Sequence, residues 1–308
     1  MEAKELQFKS HDGVNLTSYL WQCSLPKAIV HVVHGMSEHA GRYNHFANWL
    51  NEKNILVVSS DLRGHGKTAG NIDNIGFFSA KDGWNIVSKD IVSLSKYYKE
   101  KHPDLPFIIL GHSMGSFIAR TIAIDYPSIA DGFIFSATAG HPGLLGIAGN
   151  KIAKINGVIF GKKNRSKLLD FLAFGDFNKK IKNNATKKDW LTKDDKIVSK
   201  YINDPYCMQI FSAQFFVDLT GALLKINDTT QIQKMKKETP YLFLSGSMDP
   251  VGNYGKGVNE VLEKCKRLHF SNLTCKIFKE GRHEMLNETN KEEVYEYLYS
   301  WINKNTSK

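Results

Sequence analysis

The stretch that decides the fold reads Phe107-Ile108-Ile109-Leu110-Gly111-His112-Ser113-Met114-Gly115. Its first four residues form a short apolar run, typical of a strand that is buried on both faces of a parallel sheet. A helical pattern follows at 115–126, so the Gly-x-Ser-x-Gly pattern falls on a sharp strand-to-helix turn. Such a turn holds its serine in a strained conformation, and the two glycines let neighbouring backbone approach it. We therefore predict that Ser113 is a catalytic nucleophile.

The remaining chain repeats this alternation of apolar strands and helices. Short apolar runs occur at 28–33, 55–58, 132–135, 241–244 and 274–278, and helical patterns occur at 83–101, 253–268 and 291–303. Before them, 5–9 and 15–22 flank a turn signal and predict an antiparallel hairpin. Alternating strands and helices indicate an α/β fold with a mostly parallel central sheet and flanking helices.

One long insertion interrupts the alternation. Residues 140–237 are lysine-rich and helical in pattern, and we interpret them as a helical cap inserted between the first core segment, 1–139, and the second, 238–308. A lid over a site needs an apolar face, and the insertion supplies Trp190, Tyr201, Tyr206, Phe211, Phe215, Phe216 and Leu219. The alternative is that these residues pack only against one another, because aromatic residues at helical spacing are ordinarily core.

A serine hydroxyl is a poor nucleophile at neutral pH and needs a base that a carboxylate orients. Asp249 follows the apolar run at 241–244, and His283 follows the run at 274–278. Both therefore lie on loops at the carboxyl ends of strands, the edge at which sites form in open α/β sheets. The chain order Ser113, Asp249, His283 is the order expected for this architecture. We predict these three residues as the catalytic triad.

An acyl-transfer reaction also needs donors for a negatively charged oxygen. The segment His34-Gly35-Met36-Ser37-Glu38-His39 follows the run at 28–33. Its position predicts that the backbone N–H of Met36 faces Ser113, while the N–H of Met114 supplies a second donor. We predict an oxyanion hole formed by Met36 and Met114.

With these motifs the chain resembles the monoacylglycerol lipase and lysophospholipase group of α/β-hydrolases, which includes related esterases and serine aminopeptidases. The resemblance spans nearly the whole chain, and it rests on 34–39 with Gly41-Arg42-Tyr43, on 61–66, on 111–115, on 246–249 and on 281–284. It implies the α/β-hydrolase fold, the same triad and oxyanion positions, and no metal or organic cofactor. It also implies that His65 has a structural role.

The resemblance implies a lipid ester as substrate, most simply a monoacylglycerol or a lysophospholipid. The same fold and triad also serve short-chain carboxylesterases, thioesterases and aminopeptidases, because they determine acyl transfer but not the acyl donor. A binding protein that keeps the fold without turnover is a further alternative. Nothing in the sequence indicates the oligomeric state.

The formal net charge is +10, and most of it lies in the insertion: residues 141–200 contain 14 Lys or Arg against 5 Asp, an excess of nine. A solvated lysine-rich face is the simplest interpretation, attraction to an anionic membrane surface is the second, and nucleic acid is not expected. Four scattered cysteines and the absence of a signal-like N-terminus or membrane span lead us to expect a cytoplasmic protein, peripheral at a membrane if the basic cap binds lipid.

Overall fold

The computed structural model describes residues 2–175, 177–182 and 184–306. Within them a single sheet has the strand order β1-β2-β4-β3-β5-β6-β7-β8. Its strands are β1 (Lys4–Lys9), β2 (Asn15–Trp21), β3 (Ala28–Val33), β4 (Ile55–Ser60), β5 (Phe107–His112), β6 (Gly132–Ser136), β7 (Tyr241–Gly246) and β8 (Leu273–Phe278). β1 and β2 pair antiparallel, β2 pairs antiparallel with β4, and the other pairs are parallel.

The helices of the described residues follow the strands in the order expected for parallel crossovers. They are α1 (Asn44–Glu52), α2 (Gly83–Lys101), α3 (Met114–Asp125), α4 (Gly143–Phe160), α5 (Lys167–Phe174), α6 (Asp195–Asn203), α7 (Ala213–Asn227), α8 (Thr229–Ile232), α9 (Lys256–Arg267) and α10 (Lys291–Thr306). Short 3-10 turns occur at Ala40–Tyr43, Gly66–Ala69, Ile72–Asn74 and Met285–Asn287. The predicted α/β architecture is confirmed, and α1 was missed by the sequence pattern.

Two apolar layers hold the helices on opposite faces of the sheet. One layer joins the sheet to α2, α3 and α9, and the other joins it to α1 and α10. Every residue of β3, β4, β5, β6 and β7 is buried. Burial on both faces explains why these strands are continuous apolar runs, since neither face meets water.

The chain between β6 and β7 forms α4 to α8, of which α7 packs on the helices of one sheet face. The amide nitrogen of Asn150 on α4 donates to the carbonyl of Val217 and the hydroxyl of Thr220 on α7, at 3.0 and 2.7 Å. In turn α7 packs against α3. The helices of this stretch are therefore connected to the helix that follows Ser113.

A buried arginine joins α3 to the start of that stretch and to the end of α7. The guanidinium of Arg120 donates to the carbonyl oxygens of Ala139 and Ile226, at 2.8 and 2.6 Å, and to the side-chain oxygen of Asn227 at 3.0 Å. Ala139 lies where the chain leaves the sheet, and Asn227 ends α7. Because burial lowers the pKa of Arg120 to about 10, these carbonyl dipoles compensate its charge only in part.

Candidate active site

Ser113 occupies a strained turn between β5 and α3. Its backbone has φ +53° and ψ −121°, a positive φ that costs free energy for any residue with a Cβ. The turn projects the serine side chain from the carboxyl end of the sheet, at the first turn of α3. The N-terminal end of a helix carries partial positive charge and N–H groups without intrahelical acceptors. The position therefore favours a group that becomes negatively charged.

The two glycines of the motif are required by close contacts. A Cβ on Gly115 would lie 2.0 Å from the carbonyl oxygen of Val33, and a Cβ on Gly111 would lie 2.2 Å from the carbonyl oxygen of Gly115. Both distances are far below van der Waals contact. The α3 start consequently packs directly on the end of β3, which brings the following loop next to Ser113.

Asp249 and His283 form a buried pair behind the serine. The Nδ1 of His283 lies 2.8 Å from Oδ1 of Asp249, and both side chains are buried. Burial alone lowers the pKa of His283, but the charge of Asp249 and its hydrogen bond outweigh burial and raise the pKa above its ordinary value. Asp249 also accepts from the N–H of Val251 at 3.0 Å and from the hydroxyl of Ser245 at 3.2 Å. These bonds hold the carboxylate in one orientation.

His283 and Ser113 face the same cavity. The imidazole of His283 packs between two rings, with centroid distances of 4.8 Å to His112 and 4.9 Å to Trp190. Its backbone N–H donates to the carbonyl of Trp190 at 3.3 Å. A residue of the inserted stretch thus helps to position the histidine.

The loop after β3 lies against the serine. A Cβ on Gly35 would lie 3.1 Å from the Cβ of Ser113 and 3.3 Å from the carbonyl oxygen of His112. Gly35 therefore lies directly against Ser113, and the next residue, Met36, lines the same cavities as the serine. Met114 is the first residue of α3, so its N–H has no acceptor within the helix. Ser113 and Met36 thus share one cavity with His283 and the other with Met114, and Asp249 is hydrogen-bonded to His283.

The sequence did not predict the role of a charged network beside them. Arg42 donates to both carboxylate oxygens of Glu284 and to Oε2 of Glu38, each at 2.7 Å. Glu38 accepts from the N–H of Gly35 at 2.6 Å and from the hydroxyl of Tyr43 at 2.9 Å. Burial alone raises the pKa of each carboxyl, but Arg42 outweighs it and lowers both.

This network links the loop of Met36 to the loop of His283. Its three charged members, Glu38, Arg42 and Glu284, all occur in the sequence motifs. The sequence carried two signals for their pairing: Glu38 and Arg42 are four residues apart, and Glu284 directly follows His283. Opposite charges at that spacing commonly interact. The connection to Glu284 could not be read from spacing.

The other histidines near the serine are uncharged and structural in their contacts. His34 accepts from the N–H of Leu62 at 2.9 Å, and burial lowers its pKa to about 3. His65 packs 5.2 Å from the ring of Phe211, and burial also lowers its pKa to about 3. For His112, burial lowers the pKa to about 4. His283 is the histidine of this group whose pKa is raised.

Two cavities of different character meet at Ser113. One, of about 750 Å³, is mostly apolar and extends between α3, α4, α5 and α7. Its apolar lining includes Phe117, Leu145, Ile152, Leu172, Phe216 and Leu219. The other, of about 650 Å³, is also lined mainly by apolar surface, but it has the larger polar share, which includes Lys167, Asp170, Lys187, Lys188 and Gln209. We call them the apolar cavity and the polar cavity.

The arrangement of sheet, strained serine turn and buried carboxylate–histidine pair defines an α/β-hydrolase. The family described as serine aminopeptidase, S33, matches residues 24–290. The chain belongs to this hydrolase family. The family resemblance drawn from the sequence motifs is confirmed.

Known relatives align over nearly the whole chain. The monoacylglycerol lipase of Mycolicibacterium smegmatis is 26% identical over 304 residues, which cover 97% of this chain and 96% of the relative. The monoglyceride lipase of Homo sapiens is 25% identical over 301 residues, which cover 96% and 89%. Among solved structures, a thermostable carboxyl esterase from Bacillus coagulans is 30% identical, with a TM-score of 0.91 over 100% of both chains. The comparison with the carboxyl esterase confirms the fold over the full length of this chain.

Proposed function

We propose that this protein is a serine hydrolase that cleaves carboxylic esters of lipids through an acyl-enzyme on Ser113. The observation that carries the proposal is the junction of the two cavities at Ser113, beside the His283–Asp249 pair. A lipid ester matches this pair of cavities, because it has an apolar acyl chain on one side of its carbonyl and a polar alcohol on the other. Relatives named as monoacylglycerol lipase and carboxyl esterase support the same class of substrate.

The first half-reaction forms the acyl-enzyme. Neutral His283 takes the proton of the Ser113 hydroxyl while the serine oxygen bonds to the ester carbonyl carbon. The carbonyl oxygen becomes an oxyanion, which the N–H groups of Met36 and Met114 stabilise; one such donor is worth about 3 to 4 kcal/mol of barrier. The imidazolium then gives its proton to the alcohol oxygen as the ester C–O bond breaks.

The second half-reaction releases the fatty acid. His283 removes a proton from a water molecule, whose oxygen attacks the acyl carbon and regenerates a tetrahedral oxyanion. The bond to Ser113 then breaks, and the serine oxygen recovers a proton from the imidazolium. Asp249 stabilises the charged imidazole in both halves, which the hydrogen bond at 2.8 Å allows.

The test is covalent labelling combined with substrate profiling. A fluorophosphonate probe should label the wild-type protein, and Ser113→Ala should lose both labelling and ester hydrolysis while retaining the wild-type melting temperature. Ser24→Ala, at an exposed serine outside the site, is the control. Hydrolysis of p-nitrophenyl esters should rise with acyl length, because the apolar cavity rewards each added methylene. A preference for acetyl esters would favour a short-chain esterase instead, and unaltered activity of Ser113→Ala would exclude the mechanism.

We also infer that the inserted stretch, the predicted cap, contacts anionic membranes. No helix among the described residues is long and apolar enough to span a bilayer. On α4, however, Leu144, Ile155 and Val158 are 84%, 58% and 85% exposed, and their spacing puts them on one helix face. This face belongs to residues 141–200, which carry the excess of nine positive charges. Apolar side chains among lysines suit the headgroup boundary of an anionic bilayer.

The four cysteines are unpaired in the structure. Free thiols persist in reducing compartments, and they support the cytoplasm as the site of the proposed reaction. Fractionation of the native cell, with the protein followed by antibody, tests this assignment.

A further inference from the structure

The polar cavity carries more positive charge than a neutral alcohol requires. Three lysines line it, Lys167, Lys187 and Lys188. None of them forms an ion pair with a carboxylate of the described residues, whereas lysines elsewhere do, such as Lys225 with Asp125 at 2.6 Å. Glycerol offers only hydroxyl groups, which need no cation.

The carboxylates of the cavity do not balance these lysines. Glu38 and Glu284 both accept from Arg42 at 2.7 Å, so their charges are shared with a guanidinium. Asp170 is the remaining acid among the described lining residues. Burial raises the pKa of Asp170 and lowers the pKa of Lys188. The attraction between the two charges is therefore too weak to offset the hydration that each group loses.

Lys188 lies near an aromatic residue, Tyr201, that lines the same cavity as Ser113. Its Nζ lies 5.7 Å from the ring centroid of Tyr201. The same ring centroid lies 4.9 Å from the guanidinium carbon of Arg42, which binds Glu38 in the loop that follows β3. The ammonium therefore lies in the same cavity as Ser113, one aromatic ring away from the arginine that holds the loop of Met36.

We propose that Lys188, together with Lys167 and Lys187, binds a phosphate-bearing headgroup, so that the preferred substrate is an anionic lysophospholipid such as a 1-acylglycerol 3-phosphate. This inference rests on the proposed function and specifies its substrate. A phosphate monoester carries about −1.5 to −2 charge at neutral pH, and lysine ammonium groups bind such oxygens through charge-assisted hydrogen bonds. The acyl chain then occupies the apolar cavity and the phosphate the polar one.

The experiment compares two soluble substrates that share one acyl chain, 1-decanoylglycerol and 1-decanoylglycerol 3-phosphate, below their micelle-forming concentrations. Wild-type protein should hydrolyse the phosphate with a kcat/KM roughly tenfold or more above that of the neutral ester, since one charge-assisted bond is worth that much. Lys188→Gln should lose this preference through KM and keep its rate on 1-decanoylglycerol. Lys188→Arg should retain most of the preference, because the charge remains.

Lys182→Gln is the matched control, since Lys182 is an exposed lysine of the same stretch and does not line the polar cavity. A second readout uses p-nitrophenyl decanoate, whose alcohol carries no phosphate. Glycerol 3-phosphate should compete with it at roughly tenfold lower concentration than glycerol in the wild type, and at similar concentrations in Lys188→Gln.

The outcomes separate the two proposals. Equal kcat/KM for the two decanoyl esters, or an equal loss on both in Lys188→Gln, would overturn the headgroup assignment and leave the lipid esterase standing. Competition by glycerol 3-phosphate that Lys188→Gln does not change would overturn it as well. No release of decanoic acid from either ester, together with no fluorophosphonate labelling of Ser113, would overturn the proposed function itself.

Discussion

Arg42 and Glu284, 242 positions apart in the chain, form an ion pair with two hydrogen bonds, in each of which the nitrogen lies 2.7 Å from the oxygen. Glu284 is the neighbour of the proposed base, His283. Arg42 also binds Glu38, whose other oxygen holds the N–H of Gly35. One guanidinium thus connects the base to the loop that faces the serine, and the relative position of the two depends on it.

Arg42→Lys should therefore lower both stability and turnover. Lysine keeps the charge but cannot donate two parallel bonds to one carboxylate while reaching a second. We expect the free energy of unfolding to fall by about 2 kcal/mol, from the loss of charge-assisted hydrogen bonds, and kcat to fall with it. Denaturant titration and ester hydrolysis measure the two effects. Arg267→Lys, on the exposed side of α9, is the control, and unchanged stability of Arg42→Lys would contradict the role of the network.

Gly35→Ala should reduce turnover more than stability. The added Cβ would lie 2.9 Å from Oε1 of Glu38 and 3.1 Å from the Cβ of Ser113, so the loop must move and carry Met36 with it. Loss of one oxyanion donor lowers kcat by about 10² to 10³. Gly221→Ala in α7, whose nearest neighbour is 3.9 Å away, should leave kcat unchanged. Steady-state kinetics on one soluble ester distinguish them, and a wild-type kcat in Gly35→Ala counts against Met36 as a donor.

Asp249→Asn should lower kcat by about 10⁴ while the protein stays folded, as expected when the carboxylate that orients a catalytic histidine is replaced. The amide can present its NH₂ to Nδ1 and stabilise the wrong tautomer. Fluorophosphonate labelling of Ser113 should slow in parallel. Asp195→Asn, an exposed acid in the first turn of α6, provides the comparison. A kcat of Asp249→Asn within tenfold of the wild-type value would mean that a different carboxylate orients His283.

The pH profile should report the pKa of His283. The base must be neutral to accept the serine proton, so kcat/KM should fall as pH drops through that pKa. Asp249 raises the pKa of His283 above 6.5, and the acid limb should therefore lie above pH 6.5. In Asp249→Asn the limb should move to lower pH, because the raising charge is gone. An acid limb near pH 4 in the wild type would match the pKa of His112 and would contradict His283 as the base.

Membrane contact should depend on the exposed face of α4. The double variant Leu144→Gln, Val158→Gln should bind vesicles of phosphatidylglycerol and phosphatidylcholine roughly tenfold more weakly, from the apolar area that it no longer buries. Raising ionic strength should weaken wild-type binding, because salt screens the lysines. Leu25→Gln serves as control, since Leu25 is 78% exposed but lies outside the inserted stretch. Vesicle sedimentation measures the affinities. Equal affinities of the double variant and Leu25→Gln, or a wild-type affinity that salt does not change, would argue against this surface.

The agreement between sequence and structure is closest where the signal is local. The run at 107–110 became β5, the helical pattern at 83–101 became α2, and the pattern at 115–126 became α3, shifted by one residue. Helix α1 was missed because Asn44–Glu52 contains three asparagines, which are weak helix formers. Its amphipathic face packs on the sheet, and that burial compensates for the low propensity.

The candidate site was also largely predictable, and for a physical reason. Ser113, Asp249 and His283 each follow a strand of one parallel sheet, and the carboxyl ends of such strands share an edge. The chain order then brings the three loops together without knowledge of any contact. The pairing of Arg42 with Glu284 has no such rule, because it depends on how two loops pack across the sheet edge.

By itself, the sequence determined the strands, the helices α2, α3, α9 and α10, the helical character of the inserted stretch, and which loops hold the proposed nucleophile, base and acid, because apolar periodicity and turn geometry act over a few neighbouring residues. Only the tertiary structure decided that Ser113 lies between an apolar and a lysine-lined cavity, and that Trp190 of the inserted stretch packs on His283. Those features arise where α4 to α7 fold back over the sheet. Contacts of that kind depend on shape and burial across the whole chain, and spacing along the chain does not encode them.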